Sequence, residues 1–141
     1  MTASLISEDL ISAYRAANYR VLCDEQFVLR IDQPSPKLLT LHHAYQCDCS
    51  AFITAFNPFS APTSQAENEE AQKRLEKQLF GRSLKFIRGV GEDSAGNWPS
   101  EDSALVLGVS LGKARLIGAE FSQNAIIWSA ADGIPQLILL R

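Results

Sequence analysis

The spacing of apolar and polar residues along the chain predicts an alternation of helices and short strands. Apolar residues that recur every three or four positions indicate amphipathic helices, whereas short β-branched and aromatic runs indicate strands. The helical spacing occurs over residues 7–18, 36–46, 64–81 and 110–121. The strand pattern occurs over residues 19–23, 26–31, 51–56, 84–90, 104–109, 125–129 and 136–140.

Serine residues mark the expected beginnings of the helices. A serine hydroxyl at this position accepts a hydrogen bond from a backbone N–H group that has no partner inside the helix. The predicted N-caps are Ser7, Ser35, Ser64 and Ser110. Ser64 and Glu67 fit a capping box, and Gly81 is expected to stop the helix that they begin.

The order of these elements predicts an α+β fold with a mainly antiparallel sheet. The segment from residue 51 to residue 129 has the order β-α-β-β-α-β, which is that of the ferredoxin-like, or split βαβ, arrangement. An α-β-β-α extension precedes this core, and one further strand follows it. No repeat or linker interrupts the pattern, so residues 1–141 are expected to form a single domain.

Right-handed crossovers would place the first and third strands of this core side by side and antiparallel. Three connections would then lie at one end of the sheet, namely residues 57–64, 91–103 and 122–124. The polar and aromatic side chains that would meet there are Asn57, Ser60, Asn68, Asn97, Trp98, Glu101, Ser103, Gln123 and Asn124. An aromatic wall with a few converging polar groups is typical of a small-molecule site.

The leading hypothesis is therefore a pocket for a small polar or phosphorylated ligand. Asn57, Ser60 and Asn68 would hold its polar or anionic end, close to the N–H groups at the beginning of a helix. Trp98 would pack against its apolar face. The further contacts, most of which would orient the ligand, are Glu101, Ser103, Gln123 and Asn124.

Two other functions fit the same chain. Glu101 is the best candidate for a general base, because the neighbouring Trp98 could exclude water from it and raise its pKa. The protein could instead be an interaction or inhibitor module whose acidic surface meets a basic partner. Asn57 and Ser60 also belong to residue types that form turns, which offers a purely structural explanation for them.

Composition and charge disfavour several classes of function. The 141 residues include 13 Lys and Arg against 16 Asp and Glu, and the net charge of -3 disfavours binding to nucleic acid. No apolar run approaches the ~20 residues of a membrane span, and the first residues do not resemble a signal peptide. Three cysteines, an odd number, indicate thiols in a reducing cytoplasm. An edge strand after Asp132-Gly133 could pair two copies in a homodimer.

The sequence predicts neither a metal site nor a cofactor motif. The possible ligands, which lack the paired spacing of zinc sites, are His42, His43, Cys47 and Cys49. The topology also puts both histidines at the end of the sheet opposite the polar connections, so they could not activate a serine there. Gly89-Val90-Gly91 lacks the third glycine and the helix of a dinucleotide-binding motif. Cys23 is expected inside a strand, which disfavours it as a nucleophile.

Several short motifs follow one another in a distinctive order. They are Tyr19-Arg20, Phe27-Val28-Leu29-Arg30, residues 51–60, Glu67-Asn68, Gly89-Val90-Gly91, residues 98–103, residues 121–125 and Leu139-Leu140-Arg141. From about Tyr14 onward the chain resembles the bacterial family labelled domain of unknown function 3293. That resemblance implies a small cytoplasmic protein and no defined activity. The motifs of the family coincide with the three polar connections.

Overall fold

Seven strands form one antiparallel sheet in the computed structural model, which describes residues 4–96 and 98–141. Asn97, one of the polar residues expected at the site, lies outside the described residues. The strands are β1 (Asn18–Val21), β2 (Phe27–Leu29), β3 (Ser50–Thr54), β4 (Phe86–Glu92), β5 (Glu101–Leu107), β6 (Ala125–Ser129) and β7 (Pro135–Leu139). Their order across the sheet is β2-β1-β4-β5-β3-β6-β7, so β2 and β7 are the edge strands.

The described part of the chain contains four α-helices, and each begins after a serine. They are α1 (Glu8–Ala16), α2 (Pro36–Ala44), α3 (Gln65–Gly81) and α4 (Leu111–Glu120). The Oγ atoms of Ser7, Ser35, Ser64 and Ser110 each accept a hydrogen bond from the backbone N–H three residues later. All four predicted N-caps are therefore confirmed. None of these helices has the length and the apolar content needed to cross a membrane.

The α+β class and the mainly antiparallel sheet are confirmed. Strands β3 and β5, the first and third of the central β-α-β-β-α-β segment, are neighbours and run in opposite directions. Their register pairs Ser50 with Leu107 at one end and Thr54 with Ser103 at the other. The end of β3 and the beginning of β5 therefore lie at the same end of the sheet, as the sequence predicted.

Each face of the sheet packs against its own apolar cluster, because successive side chains of a strand point to opposite faces. On one face Ile53 and Val106 pack with residues of α3 and α4, such as Leu75. On the other face Phe52 and Leu105 pack with residues of β1, β2 and α2. The helix α1 buries none of its residues completely.

The predicted 91–103 connection is shorter than expected. Gly91 and Glu92 continue β4, and Glu101 already belongs to β5. Gly91 pairs with Glu101 on one side and with Tyr19 of β1 on the other. Backbone hydrogen bonds to two neighbouring strands thus outweigh the turn-like composition of this segment. Glu101 and Ser103 consequently project from a strand rather than from a loop.

Two further expectations about element ends were wrong. Gly81 is the last helical residue of α3 and does not adopt the left-handed conformation that ends a helix. Ser83 adopts it instead, with a φ of 57°. The N–H of Leu84 donates to the carbonyl of Leu79 at 2.9 Å, and the N–H of Ser83 donates to that of Phe80 at 3.0 Å. These are the two backbone bonds of a Schellman turn, here with serine as the left-handed residue. Strand β1 ends at Val21, so Cys23 lies beyond the strand in which it was expected.

Gly89 is required where β4 passes over Phe52. A Cβ atom at this position would lie 2.6 Å from Cε2 of Phe52 and 2.9 Å from the carbonyl oxygen of Arg20. We expect Gly89→Ala to lower the free energy of unfolding by about 1–3 kcal/mol, as overpacking does. Urea denaturation followed by circular dichroism would measure the change.

The matched control is Gly81→Ala, because a Cβ atom there meets nothing within 4 Å and the position is helical. Alanine should raise the free energy of unfolding by about 0.5–1 kcal/mol at that site. Equal effects of the two substitutions would show that the contact with Phe52 does not limit the side chain at position 89.

Candidate functional site

A cavity of about 380 Å³ opens at the end of the sheet where β3 ends and β5 begins. It extends from this end over the sheet face that carries Tyr19 and Phe52. The structure brings all of the described residues predicted for the site together in its lining: Asn57, Ser60, Asn68, Trp98, Glu101, Ser103, Gln123 and Asn124. The three connections that the topology was expected to join thus contribute to one cavity.

A strained turn follows β3 and forms one side of the cavity. Asn57, Phe59 and Ser60 have positive φ values of 48°, 54° and 61° around the short 3-10 turn Pro58–Ser60. A left-handed conformation is unfavourable for residues other than glycine and is least costly for asparagine. The backbone N–H of Phe59 donates to the carbonyl of Ser122 at 2.6 Å, which ties this turn to the segment before β6.

The amide groups of Asn57 and Asn68 form a reciprocal clamp. The backbone N–H of Asn57 donates to Oδ1 of Asn68 at 2.9 Å, and Nδ2 of Asn68 donates to Oδ1 of Asn57 at 3.0 Å. Oδ1 of Asn57 also accepts the backbone N–H of Thr63 at 3.0 Å. These side chains therefore fix the turn onto α3, and the ligand-holding role expected for them stays a prediction.

The side chain of Glu101 is held from one side only. Nδ2 of Asn57 donates to Oε2 of Glu101 at 2.7 Å, while Oε1 accepts no hydrogen bond from the described residues. Burial raises the pKa of Glu101 above its ordinary value of 4.5, and the hydrogen bond from Asn57 opposes that shift. The cavity thus contains an oriented carboxyl group with an oxygen available for a further contact.

Trp98, Tyr19 and Phe52 are part of the aromatic lining of the cavity. Trp98 is half-buried, and the rings of Tyr19 and Phe52 meet edge to face with centroids 5.4 Å apart. The hydroxyl of Tyr19 donates to the carbonyl of Tyr14 at 2.6 Å. Burial, with the nearby Tyr14 and Glu101, holds the pKa of Tyr19 well above its ordinary value. Tyr19 is therefore neutral at physiological pH and presents an apolar ring with a hydroxyl tip.

A second hydrogen-bond network joins α1 to the turn after β3. Ser60 Oγ lies 2.5 Å from the hydroxyl of Tyr14, and Nδ2 of Asn124 donates to both of these oxygens at 3.2 and 3.1 Å. Arg141 donates to Oδ1 of Asn124 at 3.0 Å, and its guanidinium lies 4.1 Å from the ring centre of Phe59. Ser60 and Asn124 thus connect three distant segments of the chain.

Gln123 and Ser103 also have their donor groups engaged within the protein. Nε2 of Gln123 donates to the backbone carbonyls of Phe56 and Phe121 at 3.0 and 3.2 Å. The hydroxyl of Ser103 donates to the carbonyl of Glu101 at 3.0 Å. Gln123 therefore joins the turn after β3 to the end of α4, and Ser103 supports the start of β5.

The N-terminal segment contributes to the cavity, which was not expected from the sequence. Leu10 and Tyr14 of α1 line it, and so does Tyr19 of β1. Tyr14 lies on the apolar face of the predicted helix, a pattern that ordinarily indicates core packing. Nothing in the spacing of these residues distinguishes a cavity wall from a core, so the sequence contained no signal for their role.

The histidine and cysteine cluster lies at the opposite end of the sheet. Nε2 of His42 is 2.8 Å from Oγ of Ser50, the first residue of β3, and both residues are buried. Burial lowers the pKa of His42, so the imidazole is favoured in its neutral form. Within residues 4–96 and 98–141, no three His, Cys, Asp or Glu side chains are arranged to hold a metal ion.

A family model described as "Protein of unknown function (DUF3293)" matches residues 53–126, just over half of the chain. The chain belongs to the DUF3293 family. The matched segment of this DUF3293 protein contains every predicted site residue, from Asn57 to Asn124, but not Tyr14, Tyr19 or Arg141. No curated protein and no solved structure matches the chain significantly.

The stability of the protein should depend on pH through Glu101. Because the pKa of Glu101 is raised in the folded state, the folded protein binds its proton more tightly than the unfolded chain does. Wild-type protein should therefore lose free energy of unfolding, relative to Glu101→Gln, as the pH rises through the window above 4.5. Urea denaturation of both proteins between about pH 4 and pH 7 would measure this difference.

Glu70→Gln is the control for this measurement, because Glu70 is exposed on α3. Its difference from the wild type should not follow the same trend. A stability difference between wild type and Glu101→Gln that is independent of pH would contradict the raised pKa of Glu101.

Proposed function

We propose that this DUF3293 protein binds a small polar ligand in the cavity, with Glu101 as its main polar contact. The single observation that supports this function is the position of the Glu101 carboxyl group. Asn57 donates to one of its oxygens at 2.7 Å, and the other oxygen accepts no hydrogen bond from the described residues. The carboxyl group lines a cavity of about 380 Å³. That volume lies within the range of about 300–1,000 Å³ typical of small-molecule pockets.

The surrounding residues support binding by pre-forming the cavity. A ligand that enters a rigid site loses less free energy to the ordering of the protein than one that enters a mobile site. Asn57 and Asn68 fix the turn after β3, and Gln123 fixes the approach to β6. Trp98 and Tyr19 would cover the apolar part of the ligand.

A ligand screen with a matched pair of variants tests this proposal. Polar metabolites and nucleosides would be added to isotopically labelled protein, and binding would be followed by the shifts of backbone amide resonances. We expect the shifts to cluster around the cavity residues Thr54, Gly91 and Ser103. Glu101→Gln should weaken binding by about tenfold or more, because a hydrogen bond to a charged group contributes about 1.5–3 kcal/mol.

The control is again Glu70→Gln, which changes the net charge equally but at an exposed position outside the cavity. It should leave the dissociation constant unchanged. Shifts that map elsewhere, or equal affinities of wild type and Glu101→Gln, would overturn the assignment of this cavity as the binding site.

A second candidate function is catalysis with Glu101 as a general base. The observation in its favour is that burial raises the pKa of Glu101 above its ordinary value while Asn57 holds the carboxyl group in one orientation. A general base works best when its pKa lies near the working pH and its geometry is fixed. The two candidate functions share one site and differ in whether a bound molecule is changed chemically.

Exchange of carbon-bound protons in deuterated water distinguishes catalysis from binding. Each compound that binds would be incubated with the protein and followed by proton NMR for loss of C–H signals or for new products. If Glu101 is a base, Glu101→Gln should slow such a reaction by about 10²–10⁴-fold. A ligand that binds but keeps all of its signals indefinitely would favour the binding function alone.

A further inference from the structure

Several hydrogen-bond donors that line the cavity are engaged within the protein. The amide of Gln123 donates both of its protons to backbone carbonyls. Nδ2 of Asn124 donates to the hydroxyls of Tyr14 and Ser60, which lie 2.5 Å apart and share one of its N–H groups. Gln123 therefore has no side-chain N–H left to give to a ligand, and one N–H of Asn124 is bonded within the wall.

Three hydroxyl groups of the lining also donate within the protein. Tyr19 donates to the carbonyl of Tyr14, Ser103 to the carbonyl of Glu101, and Thr54 to the carbonyl of Asp102. A hydroxyl group has one proton to donate but two lone pairs that accept. These three side chains are therefore acceptors toward any molecule in the cavity.

The charges of the lining point in the same direction. Glu92 and Glu101 are the charged residues among the described lining residues, and no Lys, Arg or His is part of that lining. Arg20 pairs with Glu92 at 3.0 Å, and no cationic side chain among the described residues pairs with the Glu101 carboxyl group. The cavity thus offers acceptors and negative charge.

The partial positive charge at the beginning of α3, which would favour an anion, is already compensated. Ser64 accepts the N–H of Glu67 at 3.1 Å, and the Glu67 carboxylate lies in the first turn of the helix. A carboxylate in this position offsets the partial positive charge of a helix N-terminus. Phosphorylated ligands, which the sequence predicted alongside other small polar molecules, are therefore disfavoured.

We propose that the ligand of this cavity is a small organic cation that carries N–H donors, such as an amidinium, guanidinium or primary ammonium group. This inference rests on the proposed binding function and specifies its ligand class. The cationic group would donate to Oε1 of Glu101, and the rings of Tyr19 and Trp98 would add cation–π attraction. The positive charge would replace the cationic partner that Glu101 lacks among the described residues.

Three probes of nearly the same shape test the ligand class: benzamidine, which is cationic, benzamide, which is neutral, and benzoate, which is anionic. Each would be titrated into labelled protein while the amide resonances of residues around the cavity are followed. Benzamidine should bind about tenfold or more tightly than benzoate, because only benzamidine complements the carboxylate. Glu101→Gln should reduce the affinity for benzamidine by a similar factor and leave that for benzamide nearly unchanged, whereas Glu70→Gln should change neither.

The outcomes separate the ligand class from the binding function. Tighter binding of benzoate than of benzamidine would overturn the cation proposal, and so would binding of benzamidine that does not depend on Glu101. The cation proposal also fails, while the binding function stands, if none of the probes shifts cavity resonances but an anionic or neutral compound from the screen does. If no compound of either set shifts those resonances, the binding function itself fails.

Discussion

The antiparallel pairing of β3 with β5 at the centre of the sheet is the constraint on which the site depends. Its register sets Thr54 opposite Ser103, so the chain leaves β3 beside the start of β5. Asn57, three residues beyond Thr54, can then reach Glu101 across a sequence separation of 44 residues. A shift of the register by one residue would turn Glu101 and Ser103 to the opposite face of the sheet. The cavity would then lose its carboxyl group.

The turn after β3 converts this register into a fixed site. Left-handed residues cost roughly 1–3 kcal/mol each when they are not glycine, so the turn persists only because other contacts hold it. Asn57 suits the position because it tolerates this conformation and brings an amide that glycine would lack. That amide contacts Thr63, Asn68 and Glu101, so the strained residue is also the one that joins the turn, the helix α3 and the strand β5.

Local signals in the sequence predicted much of this arrangement. Serine caps are readable because they depend on one side chain and the backbone next to it, as at Ser64. The convergence of the polar connections follows from the order of the elements and the handedness of crossovers. The start of β5 was not predictable in this way, since Glu101 joins the strand through its pairing with Gly91 of β4. The contribution of Tyr14 was hidden for a related reason, because its partners Ser60 and Asn124 are 46 and 110 residues away along the chain.

The roles of the asparagines and glutamine were the hardest part to infer, and the reason bears on what the cavity can bind. A sequence shows which side chains are able to donate, but not which donors are already used. Asn124 and Gln123 look like ligand contacts by composition, yet Nδ2 of Asn124 and Nε2 of Gln123 already donate to hydroxyls and backbone carbonyls of the wall. Selectivity in such a site arises from the groups that remain, because a ligand that fails to match them leaves them unpaired at a cost in binding free energy. Where the walls engage many of their own donors and leave one oxygen of Glu101 without a partner among the described residues, the complementary molecule is one that brings donors and positive charge of its own.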